Sequence, residues 1–140
     1  MVDVDLIKKK LVQLREYKKQ INEFKNITLN QYTNDWKTQR TIERTLQIMV
    51  ESCLDIANHI ISDSSFRLPN NSADTFRILS ENKILPNKLM NELIRMVQFR
   101  NFIVHNYERI DGSIVTNILK KKLIVFDKFS LQIIKYLKFK

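Results

Sequence analysis

Residues 41–61 read TIERTLQIMVESCLDIANHII, and the spacing of their apolar side chains decides the fold. Ile42, Leu46, Met49, Val50, Cys53, Ala57 and Ile60 recur at steps of three and four, which draws one stripe along a helix. Asn34 or Asp35 can accept hydrogen bonds from the N–H groups at its start. The helix is expected to end near Ser62. The same period extends outward on both sides. Between Asp5 and Phe24, the residues Ile7, Leu11, Leu14, Tyr17, Ile21 and Phe24 form a second stripe, with Lys8, Lys9, Lys10, Lys18 and Lys19 largely on other faces. The polar stretch Asn26 to Asn34 interrupts the pattern. Ser62 to Ser72, which contains Pro69, reads as a loop. A short helix from Ala73 to Glu81 would bury Phe76 and Leu79. Pro86 suits the first position of a fourth helix, where its missing N–H costs nothing. That helix carries Leu89, Leu93, Met96, Val97, Phe99 and Ile103. After a turn at Asp111-Gly112, Ser113 can cap a last helix bearing Val115, Ile118, Leu119, Phe126, Phe129, Ile133 and Leu137. The expected fold class is all-α: an up-and-down bundle of four to five helices, in a single domain over residues 1–140.

Composition agrees with this reading and excludes several function classes. The 140 residues are 44% apolar and 28% charged, as in ordinary globular proteins. One glycine and two prolines cannot furnish the turns of a β-sandwich, nor a Walker or dinucleotide-binding loop. The single cysteine cannot form an internal disulfide, and with only two histidines the arithmetic of a zinc site fails. No metal or cofactor is expected. No apolar run approaches the roughly 18 to 20 residues of a membrane span, and the opening Met-Val-Asp-Val-Asp is acidic where a signal peptide would be basic. A cytoplasmic location without a membrane partner is the expectation. A net charge of +9 favours polyanionic partners, either nucleic acid or an acidic protein surface.

The residues able to do chemistry concentrate at 100–107. Arg100, Asn101, His105 and Tyr107 stand within eight positions near the end of the fourth helix. On a regular helix Arg100 and Tyr107 are about 20° apart, Asn101 and His105 share the adjoining face, and His105 lies about 140° from Arg100. Convergence of Arg100 and His105 therefore needs a bend, the reach of the arginine, or a second copy of the motif. Arginine binds phosphate through paired hydrogen bonds, and histidine exchanges a proton near neutral pH. RNA carries its own nucleophile, the 2′-hydroxyl, beside each phosphate. This pair suffices in principle for metal-independent RNA cleavage to a 2′,3′-cyclic phosphate. The bland alternative makes His105 a partner of the last helix carbonyls, Tyr107 a half-buried aromatic and Arg100 a surface cation.

Other residues admit two readings. Arg40 and Arg44, one turn apart, can line a phosphate path or hold a partner's acidic groups, or simply pair with Glu43 or Glu51. Asp55 and His59 are spaced to pair on one helix face, chiefly as structure. Cys53 reads as a small core residue. Trp36 can stack a base or seal the end of the bundle, and the second role is expected.

The pattern Arg100-Asn101, two residues, Val104-His105, one residue, Tyr107 resembles the signature of the HEPN superfamily, and most closely its HepT-like (DUF86) branch. The similarity continues through Arg40, Glu43, Arg44, Leu46, Gln47, Glu51, Asp55, Ile56 and His59, then Pro69, Phe76, Leu79, Ile84 and Leu85, and Leu93 to Phe99. It covers roughly residues 36 to 135. Only the stretch Ser62 to Asn71 departs, lacking a glycine often found there. The resemblance implies a HEPN-type bundle forming a homodimer that brings two motifs into one cleft. It implies a ribonuclease toxin of a type VII-like toxin–antitoxin pair, with Arg100 and His105 catalytic and Asn101 orienting the site. Its partner would be a minimal nucleotidyltransferase antitoxin, in a hetero-oligomer with the toxin, which transfers AMP from ATP to Tyr107. Lys8 to Lys10 and Lys120 to Lys122 could then steer RNA or dock the antitoxin. Two rival readings are a non-catalytic HEPN module that partners a nucleotidyltransferase, and a basic bundle that binds RNA without cutting it.

Overall fold

The computed structural model describes residues 2–105 and 110–138. Helix α1 (Val4–Ile21) starts at Asp3, whose carboxylate accepts the Leu6 N–H at 3.1 Å, and runs on into a 3-10 turn at Asn22–Phe24. Then come α2 (Leu29–Thr33), α3 (Trp36–Asp63), α4 (Ser72–Glu81) and α5 (Asn87–His105). Helix α6 (Gly112–Asn117), a π-helical segment at Ile118–Lys122 and α7 (Ile124–Lys138) complete the described chain.

The all-α class is as expected, but the described residues form seven α-helices rather than four to five. Two local causes account for the difference. Within Asn26–Asn34, Thr28 and Gln31 make a reciprocal capping box, which nucleates the five-residue α2 in the polar stretch that interrupts the apolar pattern. The expected last helix is divided by the wider π turn around Lys120, Lys121 and Lys122, so that α6 and α7 are separate. Of the two candidate caps of α3, Asp35 is the one that serves. Pro86 lies just ahead of α5, its carbonyl accepting the Met90 N–H. Asp111 caps α6, taking both the N–H and the hydroxyl of Ser113.

Three cross-helix pairs set the directions. Lys10 of α1 pairs with Asp55 of α3, Lys18 of α1 with Asp127 of α7, and the Ser64 hydroxyl just past α3 meets Tyr136 of α7 at 3.2 Å. Helix α1 is thus antiparallel to both α3 and α7. The stripes predicted from sequence face inward: Ile7, Leu14 and Ile21 of α1, Ile42, Leu46, Met49 and Cys53 of α3, and Phe126, Phe129 and Ile133 of α7 are all buried. Each large apolar side chain so buried contributes about 1.5–3 kcal/mol. Phe76 of α4 meets Phe129 of α7 edge to face, centroids 6.0 Å apart at 81°, and so joins the short helix to the bundle.

Helix α4 is also held from outside. Arg67, in the loop after α3, binds Asp74 through two nitrogens at 2.7 and 2.9 Å and Glu81 at 2.7 and 2.9 Å. The Arg67 guanidinium, helped by the Asn70 N–H, holds the Asp74 carboxyl far below its usual range. Among the described residues, no helix is long and apolar enough to cross a membrane.

Candidate active site

Helix α5 presents the 100–105 segment, and α4 supports it. The α4–α5 hairpin buries Ile78, Leu79, Leu89, Leu93 and Val97, which brings the N-terminal end of α4 alongside the last turns of α5. Arg100 is half-buried there, and its Nη2 donates to the Ser72 hydroxyl at 3.3 Å. Its Nε is covered and has no hydrogen-bond partner among the described residues. No carboxylate pairs with Arg100 among the described residues. A half-buried guanidinium in that state has charge and donors left to offer an anion.

Asn101 is half-buried and His105 is exposed at the last residue of α5. Because α5 continues as α-helix through His105, the 140° separation between Arg100 and His105 stands. Within one chain Arg100 turns toward α4, while His105 shares with Asn101 the face beyond it. Tyr107 lies outside the described residues. Phe102 and Val104, on the same last turn of α5 as His105, are exposed apolar side chains.

Arg40 and Arg44 are exposed on the first turns of α3, and neither forms an ion pair among the described residues. Pairing with Glu43 or Glu51 is not what the structure shows. Glu43 accepts the Tyr32 hydroxyl, and Glu51 accepts Gln47 at 3.0 Å. Burial, reinforced by that bond and the Glu43 charge, pushes the Tyr32 phenol well above its ordinary range. Asp55 and His59 approach at 3.7 Å, too far for a hydrogen bond, while the other Asp55 oxygen takes Lys10. Cys53 is a core residue, its thiol pushed up by burial. Trp36 does not seal the bundle end; it is exposed. Sequence reasoning also missed Ser72. The contact spans 28 residues, and no local pattern signals it.

An all-helical bundle that carries Arg100, Asn101 and His105 at the end of one helix is that of a HEPN-class protein. The chain belongs to the Ribonuclease HepT-like family, whose model matches residues 14–133. It is 33% identical over 100 residues to the mRNA nuclease HepT of Shewanella oneidensis, covering 71% of this chain and 75% of that protein. It is 27% identical over 132 residues to the tRNA nuclease HepT of Aphanizomenon flos-aquae, covering 94% and 90%. Its fold matches the tri-AMPylated HEPN toxin of Shewanella oneidensis, solved in complex with its MNT antitoxin, with a TM-score of 0.86 and 30% identity over 96% of this chain and 99% of that one. A toxin–antitoxin crystal structure with AMP-PNP matches with a TM-score of 0.87 and 29% identity, covering 94% of this chain and 98% of that one.

Proposed function

We propose that this protein is the ribonuclease toxin of a toxin–antitoxin pair, cutting RNA without a metal and silenced by AMPylation of Tyr107. The observation that carries the reading is Arg100, half-buried, anchored on one side by Ser72 and, among the described residues, without a carboxylate partner. Such a cation is preorganised for a phosphate and strongest where charge develops. His105 takes the proton of the 2′-hydroxyl, whose oxygen attacks the adjacent phosphorus. Arg100 stabilises the phosphorane. The bond from phosphorus to the 5′-oxygen breaks, and the leaving oxygen receives a proton, giving a 2′,3′-cyclic phosphate and a 5′-hydroxyl. DNA, lacking the nucleophile, resists. Asn101, on the His105 face, orients the site.

The working unit in this reading is a homodimer. The angular separation of Arg100 and His105 on an unbroken α5 favours a site completed by a second copy. The exposed apolar side chains of Phe102 and Val104, on the same turn as His105, favour covering by a protein surface. A nucleotidyltransferase antitoxin supplies the off switch: the Tyr107 phenol attacks the α-phosphate of ATP, pyrophosphate leaves, and the attached adenylate brings bulk and negative charge to the motif. Similarity to the tri-AMPylated Shewanella toxin supports this step.

Purified protein is expected to cleave single-stranded RNA in EDTA and leave the matching DNA intact. His105→Ala should lose cleavage while keeping its helical spectrum and melting temperature. Cleavage that persists in that variant rejects the role given to His105.

A further inference from the structure

The chain has a single tryptophan, and the fold spends it on the surface. Trp36 is the first residue of α3 and is 62% exposed. Lys37 Nζ lies 5.7 Å from its ring centroid and the Arg40 guanidinium carbon lies 5.8 Å away. Both cations are thus drawn to the indole. Asp35 is beside them, but its oxygens are occupied in capping, accepting the Lys37 and Thr38 N–H groups and the Thr38 hydroxyl. Arg44, exposed one turn beyond Arg40, continues the positive edge.

The patch is rigidly mounted. Gln39 donates to the carbonyls of Tyr32 and Thr33 at 2.8 and 3.0 Å, fastening the start of α3 to α2. Helix α2 in turn packs on Gly112, seven residues after His105, with the Tyr32 ring against it. Gly112 and the tryptophan patch therefore share one support.

We propose that Trp36 is a stacking platform for a base of the RNA substrate, with Lys37 and Arg40 contacting the phosphates beside that base. The proposal rests on the ribonuclease reading and adds a contact outside the motif. An exposed indole flanked by cations matches what a single strand offers, a flat π face with a negative charge at each link. A protein partner covering Trp36 would also have to bring carboxylates to Lys37 and Arg40. The exposed indole face, which carboxylates alone would leave uncovered, favours the strand.

The lone tryptophan makes its own fluorescence the reporter. His105→Ala protein, which cannot cut, is titrated with a single-stranded RNA oligonucleotide, and fluorescence anisotropy of labelled RNA gives the affinity in parallel. Binding should quench the indole saturably. Trp36→Ala in that background should weaken binding about tenfold, whereas Trp36→Phe, which keeps a ring, should retain most of it. Arg40→Ala should weaken binding and lower the salt slope by about one. RNA that binds with no change in indole fluorescence and equal affinity for Trp36→Ala overturns the platform alone, leaving cleavage by the unmodified protein to stand. Intact RNA affinity with a dimer that falls apart in Trp36→Ala also overturns it, making the patch a protein contact. Absence of both binding and cleavage removes this proposal and the ribonuclease reading together.

Discussion

Arg100 of α5 and Ser72 of α4 meet at 3.3 Å, a guanidinium nitrogen donating to a hydroxyl across two helices. If Ser72 holds Arg100 in position for phosphate, its effect must pass through the arginine. Ser72→Ala is expected to lower kcat about fivefold, the equivalent of about 1 kcal/mol for a long, part-buried bond. Arg100→Ala should lower kcat by about a hundredfold or more. Combining Ser72→Ala with Arg100→Ala should cost nothing further, which a double-mutant cycle on single-turnover rates measures. Full additivity would mean that Ser72 acts elsewhere.

Gly112 gives a second prediction. Its position in Asp111-Gly112 suggests a turn glycine, but no positive φ occurs there. What requires glycine is space: a Cβ would come within 2.8 Å of Leu29 Cδ1 and 2.9 Å of Tyr32 Cδ1. Leu29 is exposed and can yield, whereas Tyr32 is buried and tethered to Glu43. Gly112→Ala should therefore cost about 1–3 kcal/mol in urea unfolding. Trimming the obstacle with Tyr32→Leu should recover part of the loss in the double variant.

These two residues show how far the sequence could be read. The periods of α1, α3 and α5 were legible because burial on one face imposes a three-to-four repeat that no other constraint disturbs. The Arg100–His105 motif was legible as a spacing, since both lie on one helix. The Ser72 contact was not, because residues far apart in sequence leave no periodic trace. The capping box of Thr28 and Gln31 is local, but it stands in a polar stretch with no apolar period to mark a helix. The exposure of Trp36 was not legible, because a large aromatic ring is usually worth burying; the structure instead sets it outside with Lys37 and Arg40 beside it.

The Arg67–Asp74 fork should make the support of α4 sensitive to acid. The Asp74 carboxyl is held far below its ordinary value, first by Arg67 and next by the Asn70 N–H. Unfolding releases it to about 4, so between those values the unfolded chain binds more protons than the folded one. The contribution is complete above the unfolded value and declines as pH falls toward the folded one. The melting temperature should drop on acidification below about pH 4. Asp74→Asn should melt lower at neutral pH and lose less on acidification. An identical pH slope in both proteins would remove Asp74 from this role.

Subunit complementation tests whether Arg100 and His105 act together across a dimer. The two side chains project about 140° apart on one helix, so a site using both is most simply built from α5 of one protomer and α5 of its partner. Arg100→Ala and His105→Ala homodimers should each be inactive. When the two are unfolded together and refolded at equal concentration, half of the dimers are mixed. Each mixed dimer has one site that joins the intact Arg100 of one chain to the intact His105 of the other, and one site lacking both. Activity should return to about a quarter of the wild-type level. A single-chain site would give nothing on mixing, since no chain in the tube carries both groups.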